Sequence, residues 1–521
     1  MSRFSLAGLR ARRSVDVVSS GHWATAQALL AGLLHCAAFA PTEAWPLQIL
    51  ALAWLAGLSW SVAPRRAAWL GACFAFAWLG SGLWWLYISM HDHGHLPALL
   101  SIAAVALLAA GLALFHAVPL ALAAWLRDRG RPAEAGAGAI GAWHGGVWAL
   151  CWLLGELARA SLLSGFPWIA SGYAHTVGPL AVFAPWVGVY GICLIAALLA
   201  AGLVGLVGRA WKPLTLGVAI VLAGQLLPQD FTAPSGQLRA SLVQPNVPQE
   251  QKFDRERWGT NLADLAVQVD SARGQLVLTP ESVVPVPLAY LDEAVLQRFE
   301  ASARGRSLLL GTFLGNEQDG FVNSLSAFGQ GAPYAYGKRH LLPFGEITPL
   351  GFHWLVRLLE IPMDDQARGQ HQRALEVAGQ RVRPLICYED LFGEDFVASV
   401  QGDANGQETP EMATVLANAS NLGWFGRWMV QDQHLQFSIM RTLEFQRPLI
   451  RATNTGATAA IDHRGRVLAR LPADTAGVLE VEVEGRRGAT PYARWLGRFG
   501  LWPFGLLLAV LLGLAALRAR R

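Results

Sequence analysis

The stretch Arg383–Asp390, "RPLICYED", decides how this chain is read. The run Pro384-Leu385-Ile386 reads as a short β-strand, and Cys387 follows at its end, with Tyr388, Glu389 and Asp390 immediately after. The other four cysteines, Cys36, Cys73, Cys151 and Cys193, all lie inside long apolar runs. One thiol therefore stands in the polar part of the chain beside two acids. With a single cysteine there, that part cannot form an internal disulfide.

Outward from this stretch the composition splits in two. The chain of 521 residues is 53% apolar and only 15% charged, with 21 tryptophans, which is too apolar for an ordinary soluble enzyme. Crossing a hydrocarbon core takes about 20 apolar residues. Seven such runs precede residue 229, at about 22–41, 45–64, 67–90, 97–126, 142–163, 179–208 and 211–228, and an eighth lies near 495–517. Between them, about 229–494 reads as ordinary globular protein, joined to the bundle by "LLPQDFTAPSGQ".

The basic residues orient the spans. Arg3, Arg10, Arg12 and Arg13 precede the first, and Arg65 and Arg66 separate the second from the third. Arg127, Arg129 and Arg131 follow the fourth, Arg209 and Lys212 the sixth, and Arg518, Arg520 and Arg521 the last. With eight spans, all five clusters fall on one side, so both termini are expected in the cytoplasm and 229–494 outside. "AFA" at 38–40 resembles a signal-peptide cleavage site, but Pro41 and the six further spans before residue 229 favour a retained span. The net charge of +4 and the clustering of arginines at span ends give no nucleic-acid surface.

In the globular part, "LRASLVQPNV", "GQLVLTPES", "SLLLGTFLG", "VNSLSAFG", "VRPLICYED", "EMATVLANAS" and "RPLIRATNTGATAAID" read as strands. Helical patterns fall at about 256–273 and 291–304, so a layered α/β sandwich is expected. Glu281 closes "LVLTPE", Lys338 lies in "YAYGKRHLLPFGE", and Cys387 closes its own strand. A carboxylate can take a proton from a thiol and return it to a leaving group. A lysine can stabilise an oxyanion, with the Tyr388 N–H as a second donor. Acid, amine and thiol together suffice for acyl transfer without a metal or cofactor.

"TPES", "YGKRHLLPFGE" and "ICYED" resemble the Glu, Lys and Cys motifs of the nitrilase (carbon–nitrogen hydrolase) superfamily. Set between a polytopic bundle and a final span, they resemble its membrane members, the apolipoprotein N-acyltransferases. The resemblance implies an α-β-β-α sandwich with Glu281, Lys338 and Cys387 catalytic and Glu346, Tyr388 and Glu389 in support. It implies transfer of an acyl chain from a phospholipid, phosphatidylethanolamine, through a Cys387 thioester to the α-amino group of a diacylglyceryl-cysteine on an apolipoprotein. It further implies a monomer in the bacterial inner membrane with a periplasmic catalytic domain. Three positions depart from the pattern: Thr279 stands before Pro-Glu where Trp is common, Leu422 replaces an acid after Ser-Asn, and Phe253 replaces a Trp.

Both substrates so implied are lipids, and the apolar segment with Phe344, Leu350, Phe352, Trp354, Leu355, Leu358 and Leu359 is expected to be a lipid-facing arm. "LGWFGRWMV", with Trp424, is expected to be a second. Phe344, Trp354 and Trp424 are thus the candidate substrate-binding residues. "HDHGH" at 91–95 has metal-like spacing but reads as a solvated outward loop, and His434 reads as a helix-surface or core residue. Glu156, inside the fifth span, is expected to face the bundle interior and pair with Arg159. A membrane-anchored amidase shares the same triad. A transporter is disfavoured by the scarcity of intramembrane charge.

Overall fold

A computed structural model describes residues 7–129, 142–207, 212–331, 333–351, 353–354, 365–370, 373–402, 409 and 412–518. Arg3, Arg131, Arg209, Arg520 and Arg521, and Phe352, Leu355, Leu358 and Leu359 of the apolar segment, lie outside these residues.

Each of the seven apolar runs carries a helix: α1 (Ala7–Cys36), α2 (Trp45–Ser59), α3 (Pro64–Gly82), α4 (Ala98–Arg129), α5 (Ala142–Ser161), α6 (Ala184–Val207) and α7 (Lys212–Leu226). Prolines open α2 and α3, where their missing N–H costs no helical hydrogen bond. Among the described residues, two helical stretches, Ala98–Asp128 and Ala181–Leu206, are each long and apolar enough to cross a membrane. The number rises to four if each of two bent pairs is one span: Pro64–Gly82 with Leu86–His93, and Pro491–Phe499 with Trp502–Leu517. The charged pair inside the bundle is made: Arg159 lies 2.8 Å from Glu156, and both are buried. Glu156 also accepts from the Ser171 N–H and hydroxyl, which satisfies its second oxygen.

The globular part builds two open six-stranded sheets. The first runs β12-β1-β2-β3-β4-β5 and the second β11-β10-β9-β8-β7-β6. Its strands are β1 (Ala233–Gln244), β2 (Leu276–Leu278), β3 (Ser307–Asn316), β4 (Gly320–Gly329), β5 (Ala335–Gly337), β6 (Leu375–Val377), β7 (Gln380–Ile386), β8 (Val415–Ser420), β9 (Leu449–Thr453), β10 (Ala459–Ile461), β11 (Val467–Arg470) and β12 (Gly477–Arg487). Parallel pairs β1–β2, β2–β3 and β8–β9 are joined through helices α8 (Arg255–Ser271), α9 (Glu293–Ser302) and α10 (Val430–Phe445), as parallel crossovers require.

The period-2 pattern explains the layering. Leu276 and Leu278 face the space between the sheets, whereas Val277 joins Leu265, Val269 and Phe299 of the outer helices. In the second sheet Val415, Ala417 and Ala419 face inward, and Leu416 packs outward with Leu435 and Ile439 of α10. The result is the expected α-β-β-α sandwich.

The outer helix α10 is covered on both sides. It lies between the second sheet and the bundle, with Gln433 bonded to Trp168 at 2.8 Å and Trp85 at 3.2 Å. Helix α6 breaks at Gly188 (φ 62°), where a Cβ would sit 2.2 Å from the Tyr492 ring. The break frees the Val189 N–H, and Glu444 of α10 accepts it at 2.8 Å. Tyr492 belongs to α11 (Pro491–Phe499), which bends by 79° into α12 (Trp502–Arg518).

Candidate active site

The candidate residues stand where strands end, the usual place for a site in an α/β sheet. Glu281 follows β2, Lys338 follows β5, and Cys387 follows β7. Glu281, Lys338, Glu346, Cys387, Tyr388 and Glu389 are all buried.

Lys338 Nζ lies 3.1 Å from Glu281 Oε1 and 2.7 Å from Glu346 Oε1. Asn323 on β4 bridges the same two carboxylates, donating at 2.8 Å to Glu281 and 3.2 Å to Glu346. The Asn421 N–H donates to the other Glu281 oxygen at 2.9 Å, and the Leu342 N–H to the other Glu346 oxygen at 2.8 Å. Burial lowers the Lys338 pKa, but the two carboxylates outweigh it and raise the group above its ordinary value, so it is a cation. Burial likewise pushes Glu281 up. The Lys338 charge and hydrogen bond, the Asn421 N–H and Lys252 outweigh it and hold the carboxyl below its ordinary range.

Cys387 adopts φ 50°, a left-handed conformation rare for a residue with a side chain and held only when the surroundings over-determine it. Burial raises its thiol above the ordinary value; Glu281 adds to the shift and Lys338 opposes it. The resting pair is therefore a neutral thiol and an ionised carboxylate within electrostatic reach of each other. Glu389 clasps the turn. Its Oε2 accepts from the Ile386 N–H at 2.8 Å and the Tyr336 hydroxyl at 2.7 Å. Its Oε1 accepts from the Arg339 N–H at 2.8 Å, so one side chain joins the cysteine turn to the lysine segment. Burial raises this carboxyl despite those donors.

Tyr388 points away, its hydroxyl donating to Gly165 O of the bundle at 2.9 Å and its ring stacked on Phe166. Phe344 and Trp354 are 46% and 60% exposed on the segment after Lys338. Trp424 is half-buried against Phe253 and His93. His93, expected in a solvated loop, is instead largely covered and lies 3.3 Å from Glu250. Among the described residues no group of three or more His, Cys, Asp or Glu could hold a metal ion.

Several site residues carry no motif of their own. Asn323 is a single amide in an ordinary strand context, and Asn421, just after β8, is marked only by the Ser-Asn pair before Leu422. Lys252 is buried, donates to the Glu281 carbonyl at 3.3 Å and the Ser282 hydroxyl at 2.9 Å, and is brought down to about 8 by burial, with the Glu281 and Cys387 charges opposing. Its one sequence signal is the "QEQK" run at the start of the domain. Lys252 and Glu281 line a pocket together with Trp258, Asn261 and Asn454.

Residues 239–492, which hold all these groups, match the carbon–nitrogen hydrolase family model, and the two-sheet sandwich belongs to that class. Residues 31–202 match the model of the apolipoprotein N-acyltransferase N-terminal domain. An apolipoprotein N-acyltransferase from Ralstonia nicotianae is 44% identical over 510 residues, 95% of this chain and 93% of that one. One from Bordetella bronchiseptica is 42% identical over 538 residues, 94% of this chain and 96% of that one. The chain belongs to the apolipoprotein N-acyltransferase family. Among solved structures, a carbon–nitrogen hydrolase superfamily protein from Xanthomonas campestris aligns at a TM-score of 0.35 and 19% identity, covering 51% of this chain and 96% of that one.

Proposed function

We propose that this enzyme acylates the α-amino group of the diacylglyceryl-cysteine of apolipoproteins, using a phospholipid as donor. The observation that carries the site assignment is the buried Lys338 ammonium clamped between Glu281 and Glu346 beside the strained Cys387 turn. In the first step Glu281 takes the Cys387 proton as sulfur attacks the ester carbonyl. Lys338 and the Tyr388 N–H receive the oxyanion. The ester C–O bond then breaks, Glu281 returns the proton to the leaving oxygen, and a lysophospholipid departs. In the second step the acceptor amine attacks the thioester, Glu281 takes its proton, the C–S bond breaks, and the proton goes back to sulfur. Two half-reactions through one covalent intermediate make a ping-pong scheme.

The finer assignments belong to the same reading. Phosphatidylethanolamine is the donor, and Phe344, Trp354 and Trp424 contact acyl chains. The eight helical runs span the bacterial inner membrane, with residues 1–228 and 495–521 as membrane parts and 229–494 as a periplasmic domain. The enzyme is a monomer. The apolar runs and the arginine clusters at their ends support this topology.

Intact-protein mass spectrometry after incubation with phosphatidylethanolamine and no acceptor tests the reading. A fatty-acyl increment removed by hydroxylamine, and absent in Cys387→Ser, is expected. The match to a hydrolase model keeps one alternative, a membrane-anchored amidase, and steady release of free fatty acid without an adduct would select it.

A further inference from the structure

The Cys387 carbonyl and the Tyr388 N–H are opposite ends of one planar peptide unit. Whatever holds the carbonyl therefore aims the N–H. Asn418, fully buried on β8, donates its Nδ2 to Cys387 O at 3.3 Å. The Ser420 hydroxyl donates to Asn418 Oδ1, which fixes the amide so that its NH2 faces the cysteine carbonyl.

A second buried cluster meets Asp390, three residues beyond Cys387. Arg451 on β9 donates to His434 Nδ1 at 2.7 Å. A guanidinium only donates, so Nδ1 is the acceptor and Nε2 keeps the ring proton. Its Nε2 makes no hydrogen bond. Arg451 is itself held by the Ser438 hydroxyl at 2.8 Å and by Asp390 at 3.4 Å, and Ser438 donates to Asp390. Asn418, His434, Ser438, Arg451 and Asp390 are each fully buried. Nothing in the acyl-transfer scheme takes a proton from any of them.

We propose that Asn418 positions the oxyanion donor by gripping the Cys387 carbonyl and so turning the Tyr388 N–H toward the carbonyl oxygen of the ester that sulfur attacks. This rests on the reading above that the Tyr388 N–H receives the oxyanion. The left-handed Cys387 gives the grip a purpose, because a left-handed non-glycine residue is strained and relaxes unless it is held. Donation to the carbonyl also polarises the peptide and strengthens its N–H as a donor. Asn418 touches no reacting atom and is a positioning residue.

Two reactions of the same sulfur separate this role from a merely structural one. Acylation by phospholipid needs the thiolate and the oxyanion donors, whereas alkylation by iodoacetamide needs the thiolate alone. In full-length Asn418→Ala, thioester formation is expected to slow by about tenfold to a hundredfold, at or below the ~10²–10³ for deleting a donor outright. Alkylation should fall far less than acylation, since the carbonyl grip makes no contact with the sulfur itself. Asn418→Ser, which keeps a short donor, should lose less.

With a 13C-carbonyl acyl chain, the infrared thioester stretch of the trapped intermediate should move to higher frequency in Asn418→Ala as polarisation is lost. Wild-type acylation in Asn418→Ala, an unmoved stretch, or equal losses in acylation and alkylation would each overturn the assignment. If Cys387→Ala still acquires an acyl group from phospholipid, it is the underlying thioester reading that fails, whatever Asn418 does.

Discussion

Replacing Lys338 by Met tests the electrostatic core of the site. The ammonium lies 3.1 Å from one carboxylate and 2.7 Å from the other, so the two oxygens are at most about 6 Å apart. Without the cation, two buried negative charges at about 6 Å repel by about 3 kcal/mol at an effective dielectric of about 20. That energy equals about two pH units at ~1.36 kcal/mol per unit. Glu281 is held low in the native enzyme, so its protonation on the acid side is what silences the base. Lys338→Met removes the attraction that holds Glu281 low as well as the charge that offsets this repulsion, and should move the acid limb of acyl-enzyme formation upward by at least about two pH units. It should also lower the plateau rate by ~10²–10³ through loss of an oxyanion donor. The double variant Lys338→Met/Glu346→Gln removes the repulsion and should bring the acid limb back down while leaving the plateau low. The assay is single-turnover acylation by a fluorescent phospholipid from pH 4.5 to 9, with the adduct weighed by mass spectrometry. An acid limb unmoved in the single variant, or a plateau restored in the double one, refutes the argument.

Three further outcomes are expected. Because burial and Glu281 raise the Cys387 thiol above its ordinary value, the thiolate fraction of the free enzyme should still be growing at pH 9, and alkylation rates measured from pH 6 to 9.5 should show no plateau; a plateau below pH 8.5 contradicts this. Trp354→Ala and Trp424→Ala should slow turnover of a long-chain phospholipid far more than that of a short soluble ester, and equal losses on both would remove the lipid-contact role. Glu156→Gln leaves the buried Arg159 without its charge partner and should cost about 3–5 kcal/mol, read as a lower melting midpoint in detergent and a reduced yield of folded protein. Glu156→Gln/Arg159→Met should recover most of that loss.

The sequence made some of this legible and hid the rest for physical reasons. Alternation in "LVL" and "VLANAS" marked the strands because one face of each packs between the sheets and the other against helices. Glu281, Lys338 and Cys387 were visible because each closes a strand inside a recognisable block. Asn323 and Asn418 were not, since their roles come from strands that meet only in space, and the Ser-Asn pair that marks Asn421 did not show its contact with Glu281. Helix α10 misleads most. Its Gln431, Gln433, His434, Gln436, Ser438, Arg441, Thr442 and Glu444 are the composition of an exposed helix, yet all are buried. They are buried because partners meet them from both sides: tryptophans and backbone groups of the bundle for Gln433, Gln436 and Glu444, and Arg451 and Asp390 of the second sheet for His434 and Ser438. A helix with polar partners on two faces shows no amphipathic stripe to read.

The same interface bears on why a nitrilase-like site is joined to a helical bundle. An anchor need only hold its domain at a surface, and its loops would then have no part in the site. Here the loop after α5 reaches the cysteine turn itself. Leu163, Ser164 and Gly165 all have positive φ, and a Cβ at Gly165 would lie 2.1 Å from Ala160 O. In that conformation Gly165 O accepts from the Tyr388 hydroxyl, and Ser164 O lies 3.1 Å from His340 Nε2, two residues beyond Lys338. One loop of the bundle thus braces both the turn that carries Cys387 and the segment that carries Lys338. A 1 Å misplacement at such a site can cost ~10²-fold in rate. The bundle is therefore part of the geometry of the reaction, which a detachable anchor is not, and this favours a transferase working on lipids over an anchored hydrolase.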